Sequence, residues 1–389
     1  MLFNMLRKND IGEPPWDYYF LRNLDEKEYP RYLSKLFKLN TGENLPLKWD
    51  FKKRAWIIDK NRCKTFNQKI QWIKLYGVTD LMRDCTDKVK VRDYVRERIG
   101  EEYLKPVLQK IGACHFENLE NQNGNSVDFQ VDQNLKDAKS PKEKMLKHAC
   151  IIHEIQNKNF NKTAVQHDRP ISALHFNFDD VSTYFDKIDF DKLSSCFVIK
   201  CNHGCKWQYI IKDKEQFLEN KRLFDIVKRN ITGWLEQDYG FWGGFEMQYR
   251  NIEPKILIEP LMRDNKDKTA EEINVYCFIG EPEYVLKKYG NEKAVSIYDK
   301  NFNLSFDIFN TLEEKIDKPA DELIKQTFDL SKKLAKNFIF VRVDWMIYQN
   351  KIYFEEMTFT PHSGFHNFTN KKNIKLGNLV NLEGYSNEF

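Results

Sequence analysis

The sharpest change of period in the chain lies near its end. In PADELIKQTFDLSKKLAKNF, Leu323, Ile324, Phe328, Leu334 and Ala335 recur at helical spacing and predict a helix with one inward face. It leads into FIFVRVDWMIYQNKIYFEEMTFTP, where strict alternation takes over. Ile339, Val341, Val343, Trp345 and Ile347 then point one way, and Phe340, Arg342, Asp344 and Met346 the other. On the return strand Ile352, Phe354, Glu356 and Thr358 share a face, with Tyr353, Glu355 and Met357 opposite. A three-residue loop at 349–351 pairs Asp344 with Glu356 and Arg342 with Thr358, whereas a two-residue loop pairs Asp344 with Glu355.

Upstream, the first 112 residues read as mostly helical. Phe66, Ile70, Ile73 and Leu75 in KTFNQKIQWIKLYG predict a helix that stops at Gly77. A second helix is expected in TDKVKVRDYVRERIG, opened by Thr86 and closed by Gly100, with Lys88 and Arg92 on one face and Val91, Val95 and Ile99 on another. Residues 113–175 are polar, Asn-rich and weakly periodic, an excursion with one short helix near 141–155. Strands are expected to dominate 197–259: FVIK turns at Asn202, His203 and Gly204 and returns through WQYIIK, and KILIEP is a short strand stopped by Pro260. VYCFIG and PEYVLKK form a hairpin around Gly280.

Composition narrows the class. Aromatics at 14% argue for packed cores, and 62 basic against 58 acidic residues leave a net charge of +4, so neither nucleic acid nor a membrane surface is indicated as partner. No apolar run approaches the ~18 residues of a spanning helix, and the first residues lack a signal-peptide core, which places the protein in the cytoplasm. Its eight cysteines are scattered, as expected of reduced thiols.

Two carboxylates opposed across a hairpin repel unless a cation lies between them. Magnesium, a hard ion preferring oxygen ligands, suits Asp344 and Glu356, and Arg342 beside them would meet the negative charge of a nucleotide polyphosphate. The bland alternative is a salt bridge of Arg342 with either acid. In FVIKCNHGCKWQYIIKD, Cys201, His203 and Cys205 lack the second ligand pair that a zinc clip requires. The alternative is a strand ending in a phosphate-binding Lys200, with Gly204 allowing close backbone approach.

The order of a lysine-ended strand, the KILIEP strand and an R-x-D plus E-x-T hairpin resembles the ATP-grasp superfamily, and more closely the TupA-like ATP-grasp proteins of bacterial teichuronopeptide and capsular polysaccharide synthesis. The matching blocks are TFNQKIQWIKLYG, TDKVKVRDYVRERIGEEYLKP, FDKIDFDKLSSCFVIKCNHG, IEPKILIEPLM, VYCFIGEP and VRVDWMIYQNKIYFEEMTFTPHSGF, within 65–106 and 185–365. The resemblance implies an α+β fold of two lobes clasping ATP. It divides the chain into an N-terminal region (1–112), the polar insertion (113–175), a small lobe (176–260) and a large lobe (261–389).

It further implies that Lys88 and Lys200 contact ATP phosphates, that Gly204 belongs to the phosphate loop and that Glu259 faces adenine. Asp264 becomes a ribose candidate and Lys300 a further phosphate candidate. Asp344 and Glu356 become Mg2+ ligands beside Thr358, and Arg342 stabilises the transferring phosphoryl group. The implied activity is ATP-dependent joining of a carboxylate to an amine through an acyl phosphate, on small-molecule or saccharide substrates and in association with capsule assembly machinery. A glycosyltransferase of the same pathway and a non-catalytic ATP-binding scaffold are the alternatives. Cys205 and Lys206 depart from the pattern, since relatives tend to carry a small residue or glycine after Gly204. His362 is expected as a turn residue after the last strand, and Trp234 and Trp242 as packing anchors.

Overall fold

Two sheets, each backed by helices, organise the chain. The computed structural model describes residues 18–112, 181–242, 244–262, 270–289, 294–305 and 314–383. After a short helix at Tyr18–Asn23 come helices α1 (Tyr29–Thr41), α2 (Phe66–Tyr76), α3 (Asp80–Thr86) and α4 (Val91–Ile99), with a hairpin of β1 (Leu47–Asp50) and β2 (Ala55–Ile58) between α1 and α2. The mainly helical expectation for this region misses that hairpin. The start of α2 is fixed by a reciprocal cap: the Thr65 hydroxyl accepts from the Gln68 N–H while the Gln68 side chain accepts from the Thr65 N–H.

The helix expected from Thr86 onward is broken. Thr86 is the last residue of α3, and helix resumes only at Val91. Asp87 causes the gap, because its carboxylate accepts from the N–H groups of Val89 and Lys90 and so competes with the helical pattern. Lys88 therefore sits in a turn, not on a helix face shared with Arg92.

The smaller sheet has the order β3 (Gln109–Ile111), β6 (Ile256–Pro260), β4 (Phe197–Cys201), β5 (Gln208–Ile211), with every pair antiparallel. Phe197, Ile199, Cys201, Ile256 and Ile258 face a core completed by Val227, Ile231, Trp234 and Leu235 of α5 (Lys221–Leu235). That helix corrects the strand-dominated expectation for 197–259, in which its 3–4 spacing went unread. Alternation leaves Val198, Lys200, Leu257 and Glu259 on the sheet's other face.

The larger sheet runs β10 (Glu314–Lys315), β9 (Ala294–Asp299), β8 (Glu281–Lys288), β7 (Glu271–Phe278), β11 (Phe340–Tyr348), β12 (Lys351–Thr358). Helix α6 (Glu322–Ala335) buries Ile324, Leu330, Leu334 and Ala335 against it, while Leu323 and Phe328 of the predicted face are only partly buried. Ser331 accepts a hydrogen bond from the Trp345 indole at 2.8 Å. Among the described residues, no helix is long and apolar enough to cross a membrane. The expected excursion at 113–175, with its helix near 141–155, lies outside the described residues.

Candidate active site

The β11–β12 hairpin turns through two residues, Gln349 and Asn350, both with left-handed φ (49° and 60°), as suits a tight hairpin. Such a turn alone would put Glu355 opposite Asp344. Instead a β-bulge between Asp344 and Trp345 shifts the ladder by one residue, so that Asp344 pairs with Glu356 and Arg342 with Thr358. The loop is thus shorter than the three residues expected, yet the expected pairing stands.

The bulge corrects the predicted alternation of β12. Ile352, Phe354 and Met357 are buried on the core side. Glu355 and Glu356 both turn toward the other face, where each meets a cation.

Arg342 is that cation for the hairpin. Its Nε donates to Asp344 Oδ1 at 2.6 Å and its Nη2 to Asp344 Oδ2 at 2.5 Å, while Glu356 lies 3.9 Å away. Asn274 on β7 and Thr358 on β12 also donate to Asp344, at 2.9 and 3.2 Å. Burial pushes the Asp344 carboxyl up to about 7 against the pull of Arg342; burial equally opposes the Arg342 charge, but Asp344 holds it well above its usual range.

Two opposed carboxylates with the Thr358 hydroxyl 3.2 Å from both are oxygen donors of the kind a hard divalent ion takes, but Arg342 stands between them, forming with Asp344 the salt bridge of the alternative reading. Asp344 oxygens are fully engaged, so a metal would draw on Glu356 directly and on Asp344 once Arg342 turns away.

A second charged group joins the two sheets. Lys200 Nζ lies 2.9 Å from Glu259 Oε2 and 3.0 Å from Glu355 Oε1, and Lys105, on the segment leading into β3, contacts the same two acids. Arg92 approaches Glu259 at 3.8 Å and donates to the Lys105 carbonyl at 2.6 Å. Lys200 and Glu259 meet because Lys200 pairs with Leu257 and Val198 with Glu259, which places the charged pair diagonally on one face. Glu259 Oε2 is buried and is held between the two ammoniums, 2.9 Å from Lys200 and 3.1 Å from Lys105. Lys105 and Glu355 went unread in sequence; only the bulge and the β3 connection bring them here.

Burial works against these acids, yet Lys200 and Lys105 hold both Glu259 and Glu355 below the usual glutamate range. A depressed folded-state value contributes stability above the unfolded glutamate range that is lost as pH falls through the folded value. Urea midpoints measured from neutral pH downward should therefore drop steeply below about pH 4.5. In Glu355→Gln that acid limb should shallow by about one proton.

Lys88 is held by the turn that follows β4. Its N–H donates to the Asn202 carbonyl and its ammonium to the Gly204 carbonyl at 2.6 Å. Asp87 and Asn202 lock this turn to the end of β4 through a 2.9 Å hydrogen bond. A Cβ on Gly204 would lie 2.2 Å from Trp207, which stacks on Trp234 and meets Trp242 edge-on, so the glycine is required by ring packing. Lys206 keeps a left-handed φ of 63°, the glycine-favouring conformation without glycine. His203 is buried, with its ring nitrogens on Asn202 Oδ1 and the Trp234 carbonyl, and burial lowers it to about 3.

Lys300 stands apart: it pairs with Glu283 at 3.1 Å in the turn after β9, and β8 and β7 separate that strand from β11. Asp264 lies outside the described residues. His362 is exposed in the turn after β12, where His362, Ser363 and Gly364 all have left-handed φ (51°, 54° and 68°). Buried Lys74 and Gln71 of α2 hold that turn through the Ser363 and Gly364 carbonyls. Strained turns held so tightly gather at sites.

The sequence profile of the family described as TupA-like ATPgrasp matches residues 135–381, more than half of the chain. The chain belongs to the TupA-like ATP-grasp family. This TupA-like ATP-grasp protein accordingly has the α+β fold of its superfamily. No curated protein matches it. Among solved structures it is similar to D-alanine–D-alanine ligase from Bacillus anthracis complexed with ATP, at 21% identity over 44% of this chain and 43% of that chain, TM-score 0.24.

A second is the ATP-grasp ligase PsnB complexed with precursor peptide PsnA2 and AMPPNP, at 10% identity over 47% and 41%, TM-score 0.22. A third is the D-alanine–D-alanine ligase from Coxiella burnetii, at 11% identity over 94% and 80%, TM-score 0.34. The TupA-like protein spans less than half the length of the first of these.

Proposed function

We propose that this protein is an ATP- and Mg2+-dependent carboxylate–amine ligase acting, in the cytoplasm, on a small-molecule or saccharide substrate of bacterial surface-polysaccharide synthesis. One observation carries the reading: Lys105 and Lys200 meet Glu259 and Glu355 at the junction of the two sheets, next to the hairpin that opposes Asp344 to Glu356 around Arg342. Family membership agrees with it.

In this reading residues 1–112 and the 113–175 insertion precede a small lobe, 176–260, and a large lobe, 261–389, that clasp ATP. Lys88 spends one N–H on the Gly204 carbonyl, whereas Lys105 and Lys200 each contact two carboxylates, so each ammonium, with three N–H groups, keeps at least one donor for phosphate oxygens. Glu259 is retained as the residue that faces the adenine amino group. Gly204 belongs to the phosphate-covering turn, Asp264 is retained for the ribose, and Lys300 remains a more distant phosphate candidate. Glu356 and Asp344, with Thr358 beside them, would hold Mg2+, which supplies charge neutralisation and orientation of the phosphates.

The substrate carboxylate oxygen attacks the γ-phosphorus, the bond from that phosphorus to the bridging oxygen breaks, and ADP leaves. Arg342 faces the negative charge spread over the transferring oxygens. The amine nitrogen then attacks the acyl carbon, phosphate departs, and the nitrogen loses a proton to give the amide.

Incubation with ATP, magnesium and panels of acids and amines tests this, with ADP release measured. ADP that appears only when both an acid and an amine are present is the expected result. Transfer from a nucleotide sugar would assign a glycosyltransferase instead, and tight ATP binding without turnover a scaffold.

A further inference from the structure

The β1–β2 hairpin exposes three large aromatic side chains within eight residues. Trp49 and Trp56 are direct cross-strand partners, ring centroids 5.8 Å apart and nearly perpendicular, and are 42% and 38% exposed. Phe51, in the turn between them, is 86% exposed. Isolated exposed apolar residues are ordinary, but a cluster on one protruding turn is not.

The turn is fixed in shape: the Asp50 carboxylate accepts from the N–H groups of Lys52 and Lys53 at 2.9 and 3.0 Å, and Arg54 has a φ of 49°. Its base is anchored, since Ile57 and Ile58 are buried and the Ile58 N–H donates to the Tyr76 hydroxyl at 3.2 Å. Between 48 and 54, Lys48, Lys52, Lys53 and Arg54 stand against the single acid Asp50. Lys48, Lys52 and Arg54 are exposed, Lys48 also pairing with Asp59 at 3.4 Å.

We propose that this hairpin tip docks the protein onto an anionic lipid bilayer, with Trp49, Phe51 and Trp56 at headgroup depth and the surrounding cations on lipid phosphates. Aromatic rings with one apolar side favour that depth, and each Lys or Arg gains from an anionic leaflet. A protein partner fits less well. A four-residue strand spans only about 13 Å, so this hairpin falls far short of the roughly 800 Å² that each partner gives to a standard interface. A bilayer needs no matching surface. The inference is independent of the ligase reading, because none of these residues belongs to the candidate site.

Co-sedimentation of the full chain with vesicles tests it. Wild type should bind vesicles of phosphatidylcholine with one-third phosphatidylglycerol at least about tenfold more tightly than phosphatidylcholine alone. Trp49→Ser/Phe51→Ser should weaken that binding by about tenfold or more. Lys52→Gln/Arg54→Gln should weaken it by about 25-fold, some fivefold for each cation. Circular dichroism confirms that both variants are folded. Equal binding to both lipid compositions, or unchanged binding by both variants, would overturn the proposal. So would a lipid-free, concentration-dependent dimer lost in Trp49→Ser/Phe51→Ser, which would make the hairpin a protein interface.

Discussion

Lys200→Met should cost about 3–5 kcal/mol of folding stability, because it leaves the buried carboxylate of Glu259 and the partly buried one of Glu355 facing one another with Lys105 as their remaining close ammonium. Burial opposes the Lys200 charge, but Glu355 and Glu259 hold that ammonium charged well above the usual lysine range, so the wild-type junction is ionic at neutral pH. The double variant Lys200→Met/Glu355→Gln should regain part of the loss by removing one unpaired acid, a positive coupling that urea denaturation of all four proteins measures.

The same substitution bears on function. Losing one charge-assisted hydrogen bond to phosphate should weaken ATP by about 10–100-fold in calorimetry under native conditions. If Lys200→Met unfolds at the wild-type urea midpoint, the charged junction between the sheets does not form.

Glu356→Gln should lower magnesium-dependent ATP turnover by about 100-fold or more while leaving stability within about 0.5 kcal/mol. Glu356 is partly exposed, and among the described residues its partners are Thr358 and, at 3.9 Å, Arg342. Asp344→Asn is a different experiment, although the sequence presents the two acids as equivalent. It disrupts two short hydrogen bonds that the buried Asp344 accepts from a partly buried guanidinium and should destabilise the protein by about 1–3 kcal/mol in addition to impairing turnover. Steady-state ADP release and thermal unfolding, measured side by side, separate the effects. Near-normal turnover by Glu356→Gln would remove it from the site.

How much of this was legible depended on the reach of each signal. The α6 helix, the β7–β8 hairpin and the β4–β5 turn rest on periods and turn residues within a few positions, and each forms where its pattern lies. The helix expected from Thr86 did not, because Asp87 offered its carboxylate to Val89 and Lys90, and a side-chain cap outweighs a few residues of helical spacing. The loop of β11–β12 was misjudged by one residue and the bulge restored the pairing, so Asp344 met Glu356 for a reason that alternation could not supply.

The sequence by itself determined which residues alternate, which recur at helical spacing, and that Lys200, Arg342, Asp344 and Glu356 stand at strand positions from which they can face one site. Those are local facts, set by backbone sterics and side-chain period. Only the tertiary structure decided that Lys105 and Glu355 join Lys200 and Glu259, that Arg342 is the cation the opposed acids require, and that Gly204 is held by Trp207. These contacts link residues far apart in the chain, and their partners are chosen by how the two sheets pack and where one strand bulges, which no window of sequence contains.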